Sequence, residues 1–348
     1  RGAAFAYRIA DRAGMMKLSL MAAFFDTADD ADRHTPLADA IAACWTDGEA
    51  SVEHRRSSAN FVFAVADEYI LRFNHESERD PEYIEAELDC IEYLAAQGQS
   101  VAPSVRSRTG NRIERVENAL GVFHAVLFPA LPGRQRSIDD LDETDFARWG
   151  QALGELHAAS LDLDVERPSW AEHLADMRGL IPLDESGAHG ELDYIARELE
   201  DFGGGPDEFG LVHFDFEMDN VLWADDGRLG IIDFDDSAYY PFVADIALAL
   251  RDLYDDAIAH IDLADERLQT FVAGYRQAKS LSDEALRQLP LFARLGNLMV
   301  FARQIWALGD GPEREEPQWT TQLRQALAAD HARSRHDFAE NPLRLFLS

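Results

Sequence analysis

The pattern of apolar residues changes at residues 129–133, and this change limits the fold classes open to the chain. Before that point, short runs of β-branched and aromatic residues predict strands at 61–65, 69–73 and 122–128. After it, apolar residues recur at helical spacing and predict helices at 146–160, 244–254 and 291–308. The five residues Pro129-Ala130-Leu131-Pro132-Gly133 contain two prolines and a glycine, which end a strand and favour a hinge. A strand-rich front part and a helix-rich back part predict an α+β fold with a cleft at their junction.

One helix is expected within the strand-rich part, and one of its acids is placed unusually. The helix begins at Pro81, and Glu87 falls on the border of its apolar stripe, whereas its other acids point away from that stripe. Arg72 lies within the apolar strand 69–73. One interpretation is an edge-strand arginine whose stem packs while its guanidinium reaches water. A single inward acid and a single strand-borne arginine favour the other interpretation, an ion pair between Arg72 and Glu87.

The charge balance restricts the partners of the chain. Among 348 residues, 65 are Asp or Glu and only 32 are Lys or Arg, which gives a formal net charge of −33. A surface this negative repels phosphate backbones, so we expect no nucleic acid partner. An acidic, strongly hydrated surface suited to high salt is one hypothesis for this composition. The 47% of hydrophobic residues are enough to fill a core.

The compartment is suggested by what the sequence does not contain. No apolar stretch is long enough to span a membrane, and we expect no membrane partner. The run Leu18–Phe25 is short, ends at Asp26, and is interpreted as ordinary chain rather than a signal peptide. Cys44 and Cys90 have no metal-binding spacing and are expected to be buried free thiols, as in a reducing cytoplasm. The oligomeric state is left open.

The strongest local pattern is a pair of acidic segments that follow short apolar runs. Residues 213–220 read His-Phe-Asp-Phe-Glu-Met-Asp-Asn, and residues 232–235 read Ile-Asp-Phe-Asp. Asp215 and Asn220 are five positions apart, and Asp233 follows a strand-like run. Phosphoryl transfer requires an oriented hydroxyl, a carboxylate to take its proton, and cations that offset the phosphate charge. Magnesium prefers oxygen ligands, which Asp and Asn side chains supply.

Other interpretations of these acids are weaker. In so acidic a chain some carboxylates only decorate turns, which is our interpretation of Asp225 beside Gly227. Asp215 and Asp233 sit against bulky apolar residues, where an uncompensated carboxylate is costly. A zinc hydrolase would need further His or Cys ligands. A serine triad with His157 lacks a Gly-x-Ser-x-Gly elbow, and we interpret His157 as a packed histidine.

On these residues the sequence resembles the aminoglycoside phosphotransferase and choline kinase-like family, which is distantly similar to the protein kinases. The resemblance rests on the His-x-Asp-x-x-x-x-Asn pattern at 213–220 and the Ile-Asp-Phe-Asp segment, and it extends from about residue 55. It implies a two-lobed protein-kinase-like fold, with a small antiparallel-sheet N-lobe that carries one key helix and a larger, mainly helical C-lobe. It also implies Asp215 as the catalytic base, Asn220 and Asp233 as Mg²⁺ ligands, and His213 as an organiser of the loop.

The resemblance also implies a binding site for ATP in the N-lobe. Arg72 would replace the lysine that often pairs with the helix acid, here Glu87, to hold the nucleotide phosphates. The loop over the phosphates would be 55–60, which contains no glycine, and its Ser58 and Asn60 would donate hydrogen bonds. Backbone groups from Phe128 through Ala130 to Gly133 would contact the adenine ring.

The expected domain boundaries follow from these assignments. They are an N-terminal extension with a helix at 1–50, the nucleotide-binding N-lobe at 51–128, a hinge at 129–134, and the helical C-lobe at 135–348. The C-lobe would carry the catalytic loop, the metal loop and the acceptor site. Within 1–50, a short helix is expected at 36–45.

The sequence therefore predicts a small-molecule kinase that moves the γ-phosphoryl group of ATP to a hydroxyl with the help of Mg²⁺. The resemblance implies an acceptor similar to an aminoglycoside, choline, a sugar or an amino alcohol. An atypical Ser/Thr protein kinase is an alternative, although the span from Asp233 to Asp245 is short for an activation segment. A catalytically silent nucleotide-binding protein is a second alternative, which the three retained site residues disfavour. Residues around Asp235, Asp236, Tyr239, Tyr240 and 297–306 are the region in which we expect the acceptor.

Overall fold

The structure is a computed structural model, and it describes residues 15–26, 35–202, 206–254, 261–309, 311 and 317–343. Five antiparallel strands form the main sheet, in the order β1-β2-β3-β5-β4. The strands are β1 (Val52–Ser57), β2 (Phe61–Val65), β3 (Tyr69–His75), β4 (Glu114–Asn118) and β5 (Gly121–Pro129). All three strands expected from the sequence are present, with ends shifted by at most two residues.

One local prediction in this sheet is wrong. Arg55 and Arg56 were expected in the phosphate loop, but they belong to β1, and only residues 58–60 remain in the turn between β1 and β2. Alternating exposure along β1 is compatible with an edge strand that carries charges on its outer face. At the other edge of the sheet, β4 and β5 pair with each other across the turn at 119–120.

One face of the sheet is covered by apolar side chains from the start of the chain. Helices α1 (Leu18–Phe25) and α2 (Pro36–Ala42) contribute to this core, and α2 is capped by Thr35, whose hydroxyl accepts from Ala38 N at 3.1 Å. Phe24 is fully buried and stacks on Phe61 with ring centroids 4.0 Å apart. The helix expected at 36–45 is therefore confirmed, and the run Leu18–Phe25 is part of the hydrophobic core.

The helix expected after Pro81 is α3 (Pro81–Ala96). Its Ile84 and Leu88 pack with Val126 of β5 in a small apolar cluster. Glu87 lies on the same helix and is completely buried. The border position inferred from the sequence therefore corresponds to an inward-facing carboxylate.

The rest of the chain is mainly helical. Its helices are α4 (Glu143–Ala159), α5 (Trp170–Leu180), α6 (Ser186–Glu200), α7 (Val243–Ala249), α8 (Glu266–Ala278), α9 (Asp283–Leu286), α10 (Leu289–Leu308) and α11 (Gln318–Glu340). Two short antiparallel pairs of strands lie among them, β6 (Phe209–Val212) with β9 (Ala238–Pro241) and β7 (Val221–Trp223) with β8 (Leu229–Ile231). The two apolar runs that precede the acidic segments form β6 and β8, and the strand expected before Asp233 is thus present.

The described residues fall into two compact units that are not continuous in sequence. The first takes its residues from Arg1–Leu88, Pro103–Ala130 and Val300–Ser334, and the second from Asp89–Ala102, Leu131–Met299 and Arg335–Ser348. Within the described ranges, no helix is long and apolar enough to cross a membrane. The functional boundaries at 50, 128 and 134 stay a prediction.

Candidate active site

The loop after β6 is held by a carboxylate beneath it. Asp245 of α7 is fully buried and accepts hydrogen bonds from the backbone N–H groups of His213 and Phe214, both at 2.6 Å. Phe214 has φ +68°, a left-handed conformation that costs a non-glycine residue of order 1 kcal/mol. The two charge-assisted hydrogen bonds offset this cost and fix the direction in which Asp215 leaves the loop.

Asp215 and Asn220, the predicted base and the first predicted metal ligand, are in direct contact. The amide nitrogen of Asn220 donates to Asp215 Oδ2 at 2.7 Å and to the Asp215 carbonyl at 2.9 Å. Because both amide hydrogens are directed at Asp215, the amide oxygen of Asn220 is the atom that can coordinate a cation. The same contact orients the carboxylate of Asp215.

Asp233, the second predicted metal ligand, directly follows a residue that forms two hydrogen bonds to the first acidic segment. Ile232 donates its N–H to the carbonyl of Asn220 at 3.1 Å, and its own carbonyl accepts from His213 Nε2 at 3.1 Å. Asp233 then turns with φ +67°, a second left-handed non-glycine residue. His213 thus links the two acidic segments by a hydrogen bond, and its role as organiser of the loop stays a prediction.

The chemistry of these side chains fits magnesium. Asn220 and Asp233 offer hard oxygen atoms, and Mg²⁺ in such sites keeps waters and phosphate oxygens as its remaining ligands. Within the part of the chain that the structure describes, no three His, Cys, Asp or Glu side chains gather as a metal site.

Glu217 is a buried neighbour of the predicted base that the sequence analysis did not single out. Its side chain hydrogen-bonds with that of Asp215 and forms an ion pair with Arg251 at 2.8 Å. Burial raises the pKa of Glu217 well above its ordinary value and outweighs the opposing effect of Arg251, while the charge of Asp215 raises it further. In its protonated form Glu217 donates to a carboxylate oxygen of Asp215.

Asp245 was not singled out from the sequence, whereas its partner His157 is the packed histidine that was expected. His157 of α4 is fully buried, with Nε2 at 2.9 Å from Asp245 Oδ2 and Nδ1 at 2.9 Å from the hydroxyl of Tyr275. The sequence carried a signal for Asp245, which is the only charged residue in the apolar helix Val243–Ala249. A lone acid in a buried helix requires strong hydrogen-bond donors.

The segment after Asp233 is held by one further residue that the sequence analysis missed. Arg167 is buried and donates to the carbonyl of Ser237 at 2.9 Å, to that of Phe234 at 3.2 Å, and to that of Asp235. Three carbonyl groups within four residues thus share one guanidinium group, which fixes the turn after Asp233.

The predicted nucleotide residues lie in the first compact unit. Arg72 forms a bidentate ion pair with Glu87, with Nη1 at 2.8 Å from Oε1 and a second contact from Nη2 to Oε2. Both side chains are buried, and the guanidinium carbon lies 5.2 Å from the centroid of the Phe128 ring. Three of the six predicted nucleotide residues are therefore together, and the ion pair inferred from the sequence is present.

The other three predicted nucleotide residues differ in their burial and in their backbone hydrogen bonds. Ser58 and Asn60 are buried in the turn between β1 and β2, where Ser58 N donates to the carbonyl of Asn60 at 3.3 Å. Ala130 is exposed, and its N–H donates to the carbonyl of Glu68 at 2.8 Å. Its carbonyl is consequently the backbone group of Ala130 that remains for a ligand.

Comparison with known proteins agrees with this geometry. Residues 50–281 match the sequence profile described as the phosphotransferase enzyme family, APH. The chain belongs to this family. It is similar to the amicoumacin kinase of Bacillus subtilis (strain 168), with 28% identity over 247 residues that cover 67% of this chain and 72% of that protein.

Solved structures of family members share the fold. A structure of an amicoumacin kinase in complex with AMP-PNP, Ca²⁺ and Ami has a TM-score of 0.68 and 27% identity, and covers 84% of this chain and 89% of its own. A microcompartment-associated aminopropanol kinase has a TM-score of 0.64 and 26% identity, and covers 89% of this chain and 99% of its own.

These findings confirm three expectations from the sequence. The chain is a member of the resembled family, it has a protein-kinase-like α+β fold, and it is a phosphotransferase with a hydroxyl group as acceptor. The roles of the individual site residues stay predictions.

Proposed function

We propose that this protein transfers the γ-phosphoryl group of ATP to a hydroxyl of a small amine-bearing alcohol. The observation that supports the proposal most strongly is the fixed pair of Asp215 and Asn220. The pair stands on a loop whose backbone is anchored to the buried Asp245. Such anchoring suits a reaction in which positioning and electrostatics supply most of the catalysis.

In the proposed mechanism, Asp215 orients the acceptor hydroxyl and takes its proton as the oxygen bonds to the γ-phosphorus. The bond from that phosphorus to its bridging oxygen breaks, and ADP leaves. Asn220 and Asp233 would hold Mg²⁺, which when bound offsets the charge on the phosphate oxygens. Arg72, which Glu87 keeps in place, would bind the phosphates together with Ser58 and Asn60. Phe128 and the carbonyl of Ala130 would contact the base.

The proposed acceptor class rests on buried acids and on the relatives. Asp235 and Asp236 are almost fully buried just after Asp233. Carboxylates at these two positions, if they line the acceptor site, would favour an acceptor that carries an ammonium group. The relatives are named as kinases of aminopropanol, an amino alcohol, and of amicoumacin. We also propose the cytoplasm, where ATP is available, as the compartment.

The proposal is tested by ADP formation from ATP and Mg²⁺ with a panel of amino alcohols, aminoglycosides, sugars and generic protein substrates. Asp215→Asn keeps the size of the side chain and removes its basicity, so we expect turnover to fall by about 100-fold or more. Asp225→Asn, on an exposed turn, makes the same chemical change and serves as the control. Its turnover should equal that of the parent.

Two results would contradict the proposal. The first is undiminished turnover in Asp215→Asn. The second is phosphate transfer to proteins but to no small molecule. Thermal unfolding of both variants should match the parent, which ensures that lost turnover reflects chemistry.

A further inference from the structure

The turn that would cover the nucleotide phosphates is braced by side chains rather than shaped by glycine. Residues 58–60 contain no glycine, and Ser58 and Asn60 are buried. The carbonyl of Ser58 accepts from Met16 N at 2.8 Å, so the chain before α1 supports the turn from one side. A turn this constrained presents fixed donors to a ligand and loses little conformational entropy on binding.

Asn74 of β3 supports the turn from below. Its side chain is buried, and its amide nitrogen donates to the carbonyl of Ala59 at 3.4 Å and to Oδ1 of Asn60. Asn74 lies two residues after Arg72, and side chains two apart in a strand point to the same face. The contact therefore ties the turn to the face of the sheet that carries the Arg72–Glu87 ion pair.

These contacts decide which end of each amide faces which partner. The carbonyl of Ala59 can only accept, so the end of Asn74 that meets it must be the amide nitrogen. That nitrogen also meets Asn60, which must then present its oxygen to Asn74. The amide nitrogen of Asn60, a donor, is left as the end that Asn60 can offer to a ligand.

We propose that Asn74 is a positioning residue that sets the hydrogen-bond polarity of Asn60, so that the turn offers an N–H donor to a nucleotide phosphate. This inference rests on the proposed function, because it assumes that the turn meets ATP. It adds a residue outside the turn that controls nucleotide affinity without contacting the nucleotide.

Reversing the polarity of Asn74 tests the proposal. In Asn74→Asp the side chain keeps its shape but can only accept, so Asn60 turns its nitrogen inward and presents its oxygen to the phosphate. We expect the Kd and KM for ATP to rise by about 10- to 100-fold, with kcat nearly unchanged. Asn74→Leu removes the brace without adding charge, and a rise of about 3-fold is expected.

A double-mutant cycle separates this effect from simple repulsion by the new carboxylate. If Asn74 acts through Asn60, then Asn74→Asp has little further effect on Kd in an Asn60→Ala background. An equal rise in both backgrounds would overturn the proposal. Asn118→Asp, at the exposed end of β4, adds the same charge elsewhere in the same unit and should leave Kd at the parent value.

Direct binding of a fluorescent ATP analogue with Mg²⁺ gives Kd without any acceptor. If the parent binds no nucleotide, the proposed function fails and the inference fails with it. If the parent binds and neither Asn74 variant differs from it, only the inference is overturned. Should Asn74→Asp not fold, Asn74→Leu decides alone, and an unchanged Kd would contradict the proposal.

Discussion

Asp245 shows how a single buried charge fixes an active-site loop. A lone carboxylate in an apolar interior is costly, and in this protein three donors compensate for it, from His157, His213 and Phe214. Since two of these three donors are backbone groups of the loop, a shift of the loop would remove them and leave a buried charge with His157 alone. A buried charge that loses hydrogen-bond partners costs several kcal/mol, which explains why Phe214 tolerates its left-handed conformation.

His157 leads to a prediction about pH. Burial lowers the pKa of His157 below its ordinary value of about 6.5, despite the opposing effect of Asp245. Below pH ~6.5 the unfolded chain therefore binds a proton that the folded protein rejects. The stabilisation that comes from a neutral, buried His157 is complete above that pH. Below it, the free energy of unfolding falls by up to about 1.4 kcal/mol for each pH unit.

In His157→Gln the amide nitrogen can still donate to Asp245, but the residue does not titrate. We expect the melting temperature of the parent to fall more steeply than that of the variant as the pH falls below ~6.5. Calorimetry across this range measures both slopes. Parallel curves for the parent and His157→Gln would contradict the prediction.

At the scale of residues, the sequence predicted those contacts that depend on spacing along the chain. Asp215 and Asn220 are five positions apart in one loop, and Arg72 and Glu87 were each conspicuous as a charge in an apolar pattern. Asn74 and Arg167 could not be inferred in this way. Asn74 is an uncharged residue that does not stand out from its strand, and the partners of Arg167 lie 67–70 positions away, so no local pattern indicates either set of contacts.

At the scale of elements, helices α4 and α8 approach each other closely through reciprocal glycines. A Cβ atom on Gly150 would lie 1.9 Å from the carbonyl oxygen of Phe271, and one on Gly274 would lie 1.9 Å from that of Ala147. This contact places the backbones of the two helices side by side. It also brings Tyr275 of α8 to His157 of α4, whose hydrogen bond supports Asp245.

The same substitution is expected to have opposite effects at two helical glycines. Gly274→Ala forces a methyl group into a carbonyl, so we expect the free energy of unfolding to fall by about 1–3 kcal/mol. Gly190 lies within α6, where a Cβ would meet no atom within 4 Å. Gly190→Ala should therefore raise the free energy of unfolding by up to about 1 kcal/mol. Urea unfolding measures both, and a shift of the same sign in both variants would contradict the packing argument.

The sequence predicted well those helices and strands whose apolar residues recur at a regular spacing. Helix α4 was expected at 146–160 and spans Glu143–Ala159, while α10 was expected at 291–308 and spans Leu289–Leu308. Strand β1 was missed because Glu53, Arg55 and Arg56 interrupt any apolar alternation. Its strand character comes from pairing with β2, which is a tertiary effect that local propensity does not contain.

At the scale of the whole molecule, the periodicity along the chain predicted the α+β class. It did not predict which segments of the chain come together in each compact unit. Part of the C-terminal chain belongs with the first unit, where Trp306 donates to Glu78 at 2.9 Å across 228 positions. Such long-range contacts are set by packing of the complete chain. No local pattern at Trp306 or Glu78 indicates them.

The net charge of −33 acts on the molecule as a whole. Like charges on a compact surface repel one another more strongly than they do in the expanded unfolded chain, so the excess of acids destabilises the folded state. Salt screens this repulsion, because the Debye length falls from about 10 Å at 0.1 M to about 3 Å at 1 M. Exposed ion pairs such as Arg228–Asp226 are weakened at the same time, but pairs in full contact with water contribute little to stability.

We therefore expect the melting temperature to rise as KCl is increased from about 0.05 M to about 1 M, with most of the rise below about 0.3 M, where the Debye length changes most. Scanning calorimetry at fixed pH measures the rise. Because screening depends on ionic strength and not on the identity of the ion, NaCl should reproduce the curve. Potassium sulfate at equal ionic strength should add a further rise at high concentration, since sulfate is excluded from protein surfaces. A melting temperature that is constant or falls with KCl would show that repulsion among the acids does not limit the stability of this protein.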